Sequence, residues 1–417
     1  MLQNLKTGML ALAVLAAGAM TAVGQDKTPI KIGFGMSQTG PLGPNGKSAL
    51  LAMEIWVEET NAKGGLLGRP VQLVNYDDQS NPSTVPGIYT KLLDVDKVDV
   101  IVGGYGTNMI APAMPIAMQR KKAFIALFGL GVNDDFKYDR YFAMIPSGPE
   151  PKTSFTKGFF DTAMAQNPKP ATVAIVAADA EFSKNASDGA RENAKKHGLK
   201  IVYDKSYPPS TTDFAPIVRA IQATNPDLVV ICSYPLDSVG MVLAANEAKL
   251  NPKMIGGAMV GLQSTVFKTK LGPALNGYMN YDFWLPAKSL MFEGTEAFLT
   301  KYQARAAKAG VDPLGYYMAP FSYAYLEILG QAITATKSTD DAKLVDALRK
   351  TTFKTIVGDI KFAPNGEWAK SRVFQAQFRG IKGNGVEQFK NPDTLAIITP
   401  AEYKSGDVIY PLEKARQ

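Results

Sequence analysis

The chain is poor in the residues on which many enzymes and disulfide-stabilised domains rely, with one cysteine and one histidine in 417 residues. Cys232 has no partner for an internal disulfide, so packing must hold the fold, and its place after Leu228-Val-Val-Ile231 reads as that of a small buried hydrophobe. His197, in Lys195-Lys-His-Gly198, is too few for a histidine-ligated zinc site or a serine–histidine triad, and reads as a helix end stopped by glycine. Gly33, Gly35 and Gly40 lack the spacing of a G-x-G-x-x-G dinucleotide loop, and no G-x-S-x-G elbow is present. Charge of one sign is also lacking. Lys and Arg number 45 against 38 Asp and Glu, and clusters such as Arg120-Lys121-Lys122 lie among acids without interleaved aromatics, which excludes a nucleic-acid-binding stripe. Low-complexity linkers and heptads are missing too, so a chain of this length should form two intimately connected domains.

Long apolar runs are equally scarce, and the only one spans Met9 to Val23, behind Lys6 and ahead of Gln25-Asp26-Lys27. It is short for a membrane span and has the three-part layout of a secretory signal peptide, with small residues Ala22 and Gly24 at the two positions a signal peptidase reads. Residues 1–24 are therefore expected to be removed, giving a freely soluble, monomeric protein of the periplasm. Without a cysteine at the cleavage point, no lipid anchor is expected.

What the chain does have is rhythm. Short β-rich runs at Ile30–Phe34, Val71–Tyr76, Val98–Val102 and Phe124–Phe128 alternate with helical patterns at Ala49–Ala62, Pro86–Val95 and Met109–Gln119. The alternation restarts with strands Thr172–Ala177, Lys200–Tyr203, Leu228–Cys232 and Lys253–Gly257 between helices Phe182–His197, Asp213–Ala223 and Ser238–Ala248. This predicts an α/β protein with two doubly wound parallel sheets. Two further helical segments, Glu293–Ala309 and Ala319–Thr336, are not needed by the second sheet, so the chain should return to the first. The expected lobes are residues 26–145 plus 283–355 and residues 146–282 plus 356–417, with crossings near Tyr141–Pro146, Tyr278–Pro286 and Ile356–Phe362.

Ligands of open α/β sheets sit at the carboxyl ends of the strands. Four loops have that position: Gly40–Gly46 with Asn45, Gly103–Asn108 with Tyr105, Thr107 and Asn108, Phe128-Gly129-Leu-Gly131, and Ala178–Ser183 with Phe182. Backbone N–H groups opening a helix at Thr107 suit an anion. Equally, Thr107 or Asn108 can serve as an ordinary N-cap and the glycines as turn residues.

Asn61-Ala-Lys-Gly-Gly-Leu-Leu-Gly-Arg-Pro70, followed by a strand and Asp77-Asp78, resembles the hallmark of branched-chain amino-acid-type periplasmic binding proteins, as do Gly33–Gly46, Val98–Pro112 and Val357–Gly366. The resemblance implies the type I periplasmic-binding fold, three crossovers, hinge closure around a solute, and the permease subunits of an ATP-driven importer as partners, with no catalysis and no cofactor or metal. It also implies a carboxylate site at Thr107 and Phe128–Gly131, with Phe182 closing from the second lobe. Where amino-acid binders of the family carry an acid for the ligand's ammonium, this chain has Ala258. An ammonium unpaired in a closed cleft is costly. Aromatic and apolar residues near the expected cleft, Tyr105, Phe128, Phe182, Tyr234, Met259, Trp284, Tyr316 and Tyr317, point instead to an aromatic acid, although some of them would fill the cores. Amino-acid, amide or fatty-acid binding on the same fold is the alternative. A hydrolase working through carboxylates alone would have to use Asp77-Asp78, Asp134-Asp135 or Asp179 with Glu181.

Overall fold

In the computed structural model, which describes residues 28–417, apolar runs become central strands where both faces are covered. The expected signal peptide lies outside the described residues. Strands β1 (Ile30–Met36), β2 (Val71–Asp77), β3 (Val100–Tyr105), β4 (Phe124–Phe128) and β5 (Tyr141–Ala143) form one parallel sheet in the order β2-β1-β3-β4-β5. β3 and β4 are buried at every position, as helices on both faces of a parallel sheet require. The helix on the loop after β1 starts at Gly43, six residues before the expected Ala49, because Pro44 near its N-terminus fixes a helical φ.

The second sheet departs from expectation. Strands β6 (Thr172–Ala178), β7 (Lys200–Tyr207), β8 (Leu228–Ser233), β9 (Met254–Met259) and β10 (Met279–Asp282) are joined by two late strands. After a hairpin of β11 (Phe353–Thr355) and β12 (Gly358–Ile360), these are β13 (Phe374–Phe378) and β14 (Leu395–Thr399), in the order β14-β13-β10-β9-β8-β6-β7. β13 pairs antiparallel with β10 and β14, so this sheet is mixed rather than wholly parallel. The late strands hide in the sequence because β13 reads Phe-Gln-Ala-Gln-Phe, yet Gln375 and Gln377 are fully buried. Gln377 satisfies its amide by bonding both ways to the backbone of Ile409 in the C-terminal tail, at 2.8 and 2.9 Å.

Helices Thr295–Ala309 and Met318–Thr336 cover the helix Gly43–Ala62, and the second of them also packs against β4 of the first sheet. Ser48 and Tyr302 share a buried hydrogen bond of 2.6 Å, and Arg305 forks onto Glu58. The third crossing is later than expected. Instead of leaving at 356–362, the chain still lies along β5 there: the Phe362 ring is 5.1 Å from that of Phe142, and Ala143 N–H donates to the Gly366 carbonyl at 2.8 Å. Gly366, at φ +82°, lets the backbone approach this closely, since a Cβ there would overlap the Tyr141 carbonyl. Only beyond Trp368 does the chain pass over, with Arg372 N–H bonding Pro146 of the first crossing.

One carboxylate of this region makes stability respond to pH. Glu327 accepts a hydrogen bond from Ile356 N–H at 2.9 Å, and burial, aided by nearby Glu59, raises its pKa to about 7. A raised folded pKa means that the folded state binds the proton more tightly, so the contribution is present below the usual carboxylate range and is lost as pH rises through about 7. Glu327→Gln keeps the acceptor and removes the charge. It is expected to match the wild type at pH 4.5 and to exceed it by about 1–3 kcal/mol at pH 8. Urea unfolding at both pH values checks this, and an equal gain at both would refute it.

Candidate ligand-binding site

Loops at the carboxyl ends of the strands meet between the two sheets in a closed box. The first sheet contributes Leu42, Tyr105, Gly106, Thr107 and Phe128; the second contributes Phe182, Tyr234 and Val260. Ile145 of the first crossing, Tyr281 and Phe283 at the end of β10, and Tyr317 complete the lining. The rings pack on one another: Phe128 lies 5.0 Å from Phe283, Phe182 5.8 Å from Tyr234, and Tyr105 6.3 Å from Tyr317 at 86°. The remaining space is about 20 Å³, enough for one water-sized sphere.

Polar atoms in the box are few and converge. The Tyr281 and Tyr317 hydroxyls are 3.5 Å apart, and Asn45 donates its amide to the Tyr105 hydroxyl at 3.0 Å. Burial pushes the Tyr105 phenol up to about 12, and those of Tyr281 and Tyr317 well above their ordinary value. All three therefore stay neutral and can donate an O–H to a carboxylate, a phenol or a carbonyl. No acidic side chain is among the lining residues.

A family model described as periplasmic binding protein matches residues 29–384. The chain belongs to the periplasmic binding protein family. Among its relatives is a Leu/Ile/Val-binding protein homolog (number 7) of Brucella abortus strain 2308, 26% identical over 386 residues, 89% of this chain and 94% of that protein. Among solved structures, a solute-binding protein of Rhodopseudomonas palustris HaA2 in complex with p-hydroxybenzoic acid aligns with TM-score 0.73 at 20% identity, covering 92% of this chain and 97% of that one. The branched-chain amino-acid transporter substrate-binding protein LivJ of Streptococcus pneumoniae, in complex with isoleucine, aligns with TM-score 0.71 at 18% identity, covering 92% and 100%. This periplasmic binding protein is thus a non-enzymatic solute-binding protein with the type I fold of two α/β lobes, similar to proteins of the branched-chain amino-acid type. No helix among the described residues is long and apolar enough to cross a membrane.

Of the residues singled out in the sequence of this binding protein, Tyr105, Thr107, Phe128, Phe182, Tyr234 and Tyr317 line the box. Asn45 stands behind Tyr105, and Asn108 faces a separate, outer cavity. The other five fall elsewhere. Gly129 packs against Ile110, Val132 and Tyr141, and Gly131 is a left-handed turn against Lys152. Trp284 is wholly buried, bonded to the Leu290 carbonyl and packed on Tyr316, which also lies outside the box. Ala258 and Met259 are core positions of β9, where Ala258 pairs with Cys232. The lining position near them is Val260, just past the strand. Ala258 therefore does not face the box, and Val260 is the residue of this segment that does.

The anion loop is also different from expectation. Pro112 and Pro115 break the helical pattern into Thr107–Ile110 and Met114–Gln119, so the first helix has four residues and little dipole. Its Met109 and Ile110 N–H groups both bond the Gly106 carbonyl at 2.9 Å. Thr107 is not an N-cap; its Oγ1 accepts the Leu130 N–H at 3.0 Å and ties the β3 loop to the β4 loop, leaving its own proton to donate into the box.

None of the acid pairs lines the box. Asp77 accepts from the Thr39 hydroxyl at 2.7 Å and from the amides of Gln38 and Gln79, which lowers its pKa, while burial raises that of Asp78 despite a 2.5 Å bond from Ser37. Together they staple the loops after β1 and β2. Asp134 and Asp135 open the short helix Val132–Phe136, and Asp179 is salt-bridged to Lys184. Tyr281 and Phe283 were the aromatics not anticipated, because the run Tyr278–Pro286 reads as a crossing.

Proposed function

We propose that this periplasmic binding protein captures an aromatic carboxylic acid between its lobes and presents it to the permease of an ABC importer. One observation carries the reading: the box is walled by aromatic rings, offers neutral Tyr105, Tyr281, Tyr317 and Thr107 hydroxyls as donors, and holds no carboxylate. Such a lining satisfies a carboxylate or phenol and leaves an ammonium unpaired, which costs several kcal/mol in a dry site. The p-hydroxybenzoic acid complex of the R. palustris relative supports the ligand class; the isoleucine complex of LivJ marks the alternative on the same fold. Because the space of about 20 Å³ cannot admit a ring, binding proceeds through lobe opening about the three crossings, followed by closure on the ligand. The export signal at residues 1–24 delivers the chain to the compartment where this capture takes place.

Titration calorimetry with benzoate, 4-hydroxybenzoate, cinnamate, leucine and isoleucine tests the proposal. At least one aromatic acid is expected to bind with a Kd in the micromolar range or below, and at least tenfold more tightly than either amino acid. Tighter binding of leucine or isoleucine than of every aromatic acid would overturn it.

A further inference from the structure

Outside the box lies a second cavity of about 560 Å³, and Leu42 and Tyr234 line both. One side is formed by Pro41, Leu42 and Asn108 of the first sheet's loops, the other by Phe214 and the helix Pro235–Glu247. That helix has two apolar faces. Ser238, Met241, Val242 and Ala245 are buried in the body of the protein, whereas Leu236, Val239 and Leu243, spaced three and four residues apart, form a second stripe along the cavity. Leu236 is 60% and Leu243 46% exposed. A single exposed leucine is ordinary on a protein surface. Here the exposed pair belongs to a stripe that walls a cavity of ligand size, and that cavity shares Leu42 and Tyr234 with the binding box. At the partition, Asn108 Oδ1 is buried without a hydrogen-bond partner, and the Tyr234 hydroxyl is held by a single 3.2 Å bond from Phe182 N–H.

We infer that the outer cavity is a second compartment of the same site, which receives an apolar extension of the ligand while its carboxylate-bearing ring enters the box. The inference rests on the aromatic-acid reading and sharpens it: the solute is a benzoate-like acid with an apolar substituent opposite the carboxylate. The disparity of the two spaces supports this division. A volume of 560 Å³ lies within the range of sites that bury a drug-sized molecule, whereas the box has room only for what displaces its own rings. Polar and charged residues, among them Ser80, Thr211, Thr212, Asp237 and Lys270, line other parts of the cavity, whereas Leu236, Val239 and Leu243 give it an apolar wall along the helix.

Calorimetry with benzoate and its 4-ethyl, 4-butyl and 4-hexyl derivatives tests the inference on wild type and on Leu243→Asp and Leu236→Asp, whose exposed positions leave the fold intact. In the wild type, affinity is expected to rise roughly two- to fourfold per methylene beyond the partition. In the variants, 4-hexylbenzoate should bind at least tenfold more weakly and benzoate within about twofold of wild type. A flat series in which benzoate still binds would overturn the second compartment and leave the aromatic-acid reading standing. A rising series that persists in both variants would also overturn it, and would leave the exposed stripe to a protein partner. Failure of every benzoate, with amino acids binding, would remove both readings.

Discussion

Replacing Gly256 by alanine is expected to leave little folded protein at 37 °C. Gly256 sits in β9, in the middle of the second sheet, at φ +135°, a conformation that side chains with a Cβ rarely adopt. A Cβ there would also overlap the carbonyl of Met279 on the neighbouring β10, so the strand pair itself would have to separate. Backbone strain of about 1–3 kcal/mol and a displaced central ladder together approach the total stability of an ordinary domain. Gly64→Ala separates the two contributions. That residue has φ +98° with nothing within 4 Å of a built Cβ, so it carries strain without a clash and should cost only about 1 kcal/mol. Thermal melts by circular dichroism decide the matter. A Gly256→Ala melt within a few degrees of wild type would show that β9 and β10 are less tightly coupled than their geometry requires.

Val260→Glu should reverse the ligand preference. Val260 is 5% exposed and lies against the box, in a lining with no other acid, so a glutamate there meets an aromatic acid's carboxylate at close range without a counter-ion. Burying an unpaired charge beside a like charge costs about 3–5 kcal/mol, or a loss in affinity of roughly two to three and a half orders of magnitude. The same carboxylate provides the partner that an amino acid's ammonium lacks in the wild type, so phenylalanine should gain measurable binding. Ala258→Glu would do neither, because that side chain belongs to the core of β9. Calorimetry with 4-hydroxybenzoate and phenylalanine on both variants checks the contrast. Unchanged binding of 4-hydroxybenzoate by Val260→Glu would mean that the ligand does not occupy the box.

The contrast between positions 258 and 260 shows how far the sequence could be read. Strand and helix alternation located the parallel strands and the loops at their carboxyl ends, so Tyr105, Thr107, Phe128 and Phe182 could be brought to one cleft by topology alone. The end of β9 could not be found the same way, because Gly256 and Gly257 interrupt its apolar pattern and the ladder runs on through Met259. Two residues in register move a side chain from the sheet into the cleft. Tyr281 and Phe283 were hidden for another reason. They stand at the end of β10, an interior strand whose residues are buried whether polar or apolar, and wall the box from there, so periodicity has no signal for their role. Gln375 and Gln377 look like surface residues until the helix Pro151–Met164 covers the first and the C-terminal tail the second. Partners that arrive from distant sequence leave no local pattern.

The mutual packing of rings in the box also bears on how fast and how selectively a solute can be held. Phe128, Phe283, Tyr105 and Tyr317 already satisfy one another, so an incoming molecule competes with the protein's own side chains for those contacts. Intrinsic affinity is then scaled down by the fraction of molecules whose rings have parted: if about one in a hundred has done so, the apparent Kd is a hundredfold weaker. Small apolar molecules that cannot replace the full set of ring contacts are turned away on that ground alone. A solute that can replace them is bound against a restoring tendency, because the rings regain their contacts as soon as it leaves, and this favours release once the lobes are held apart by a transporter.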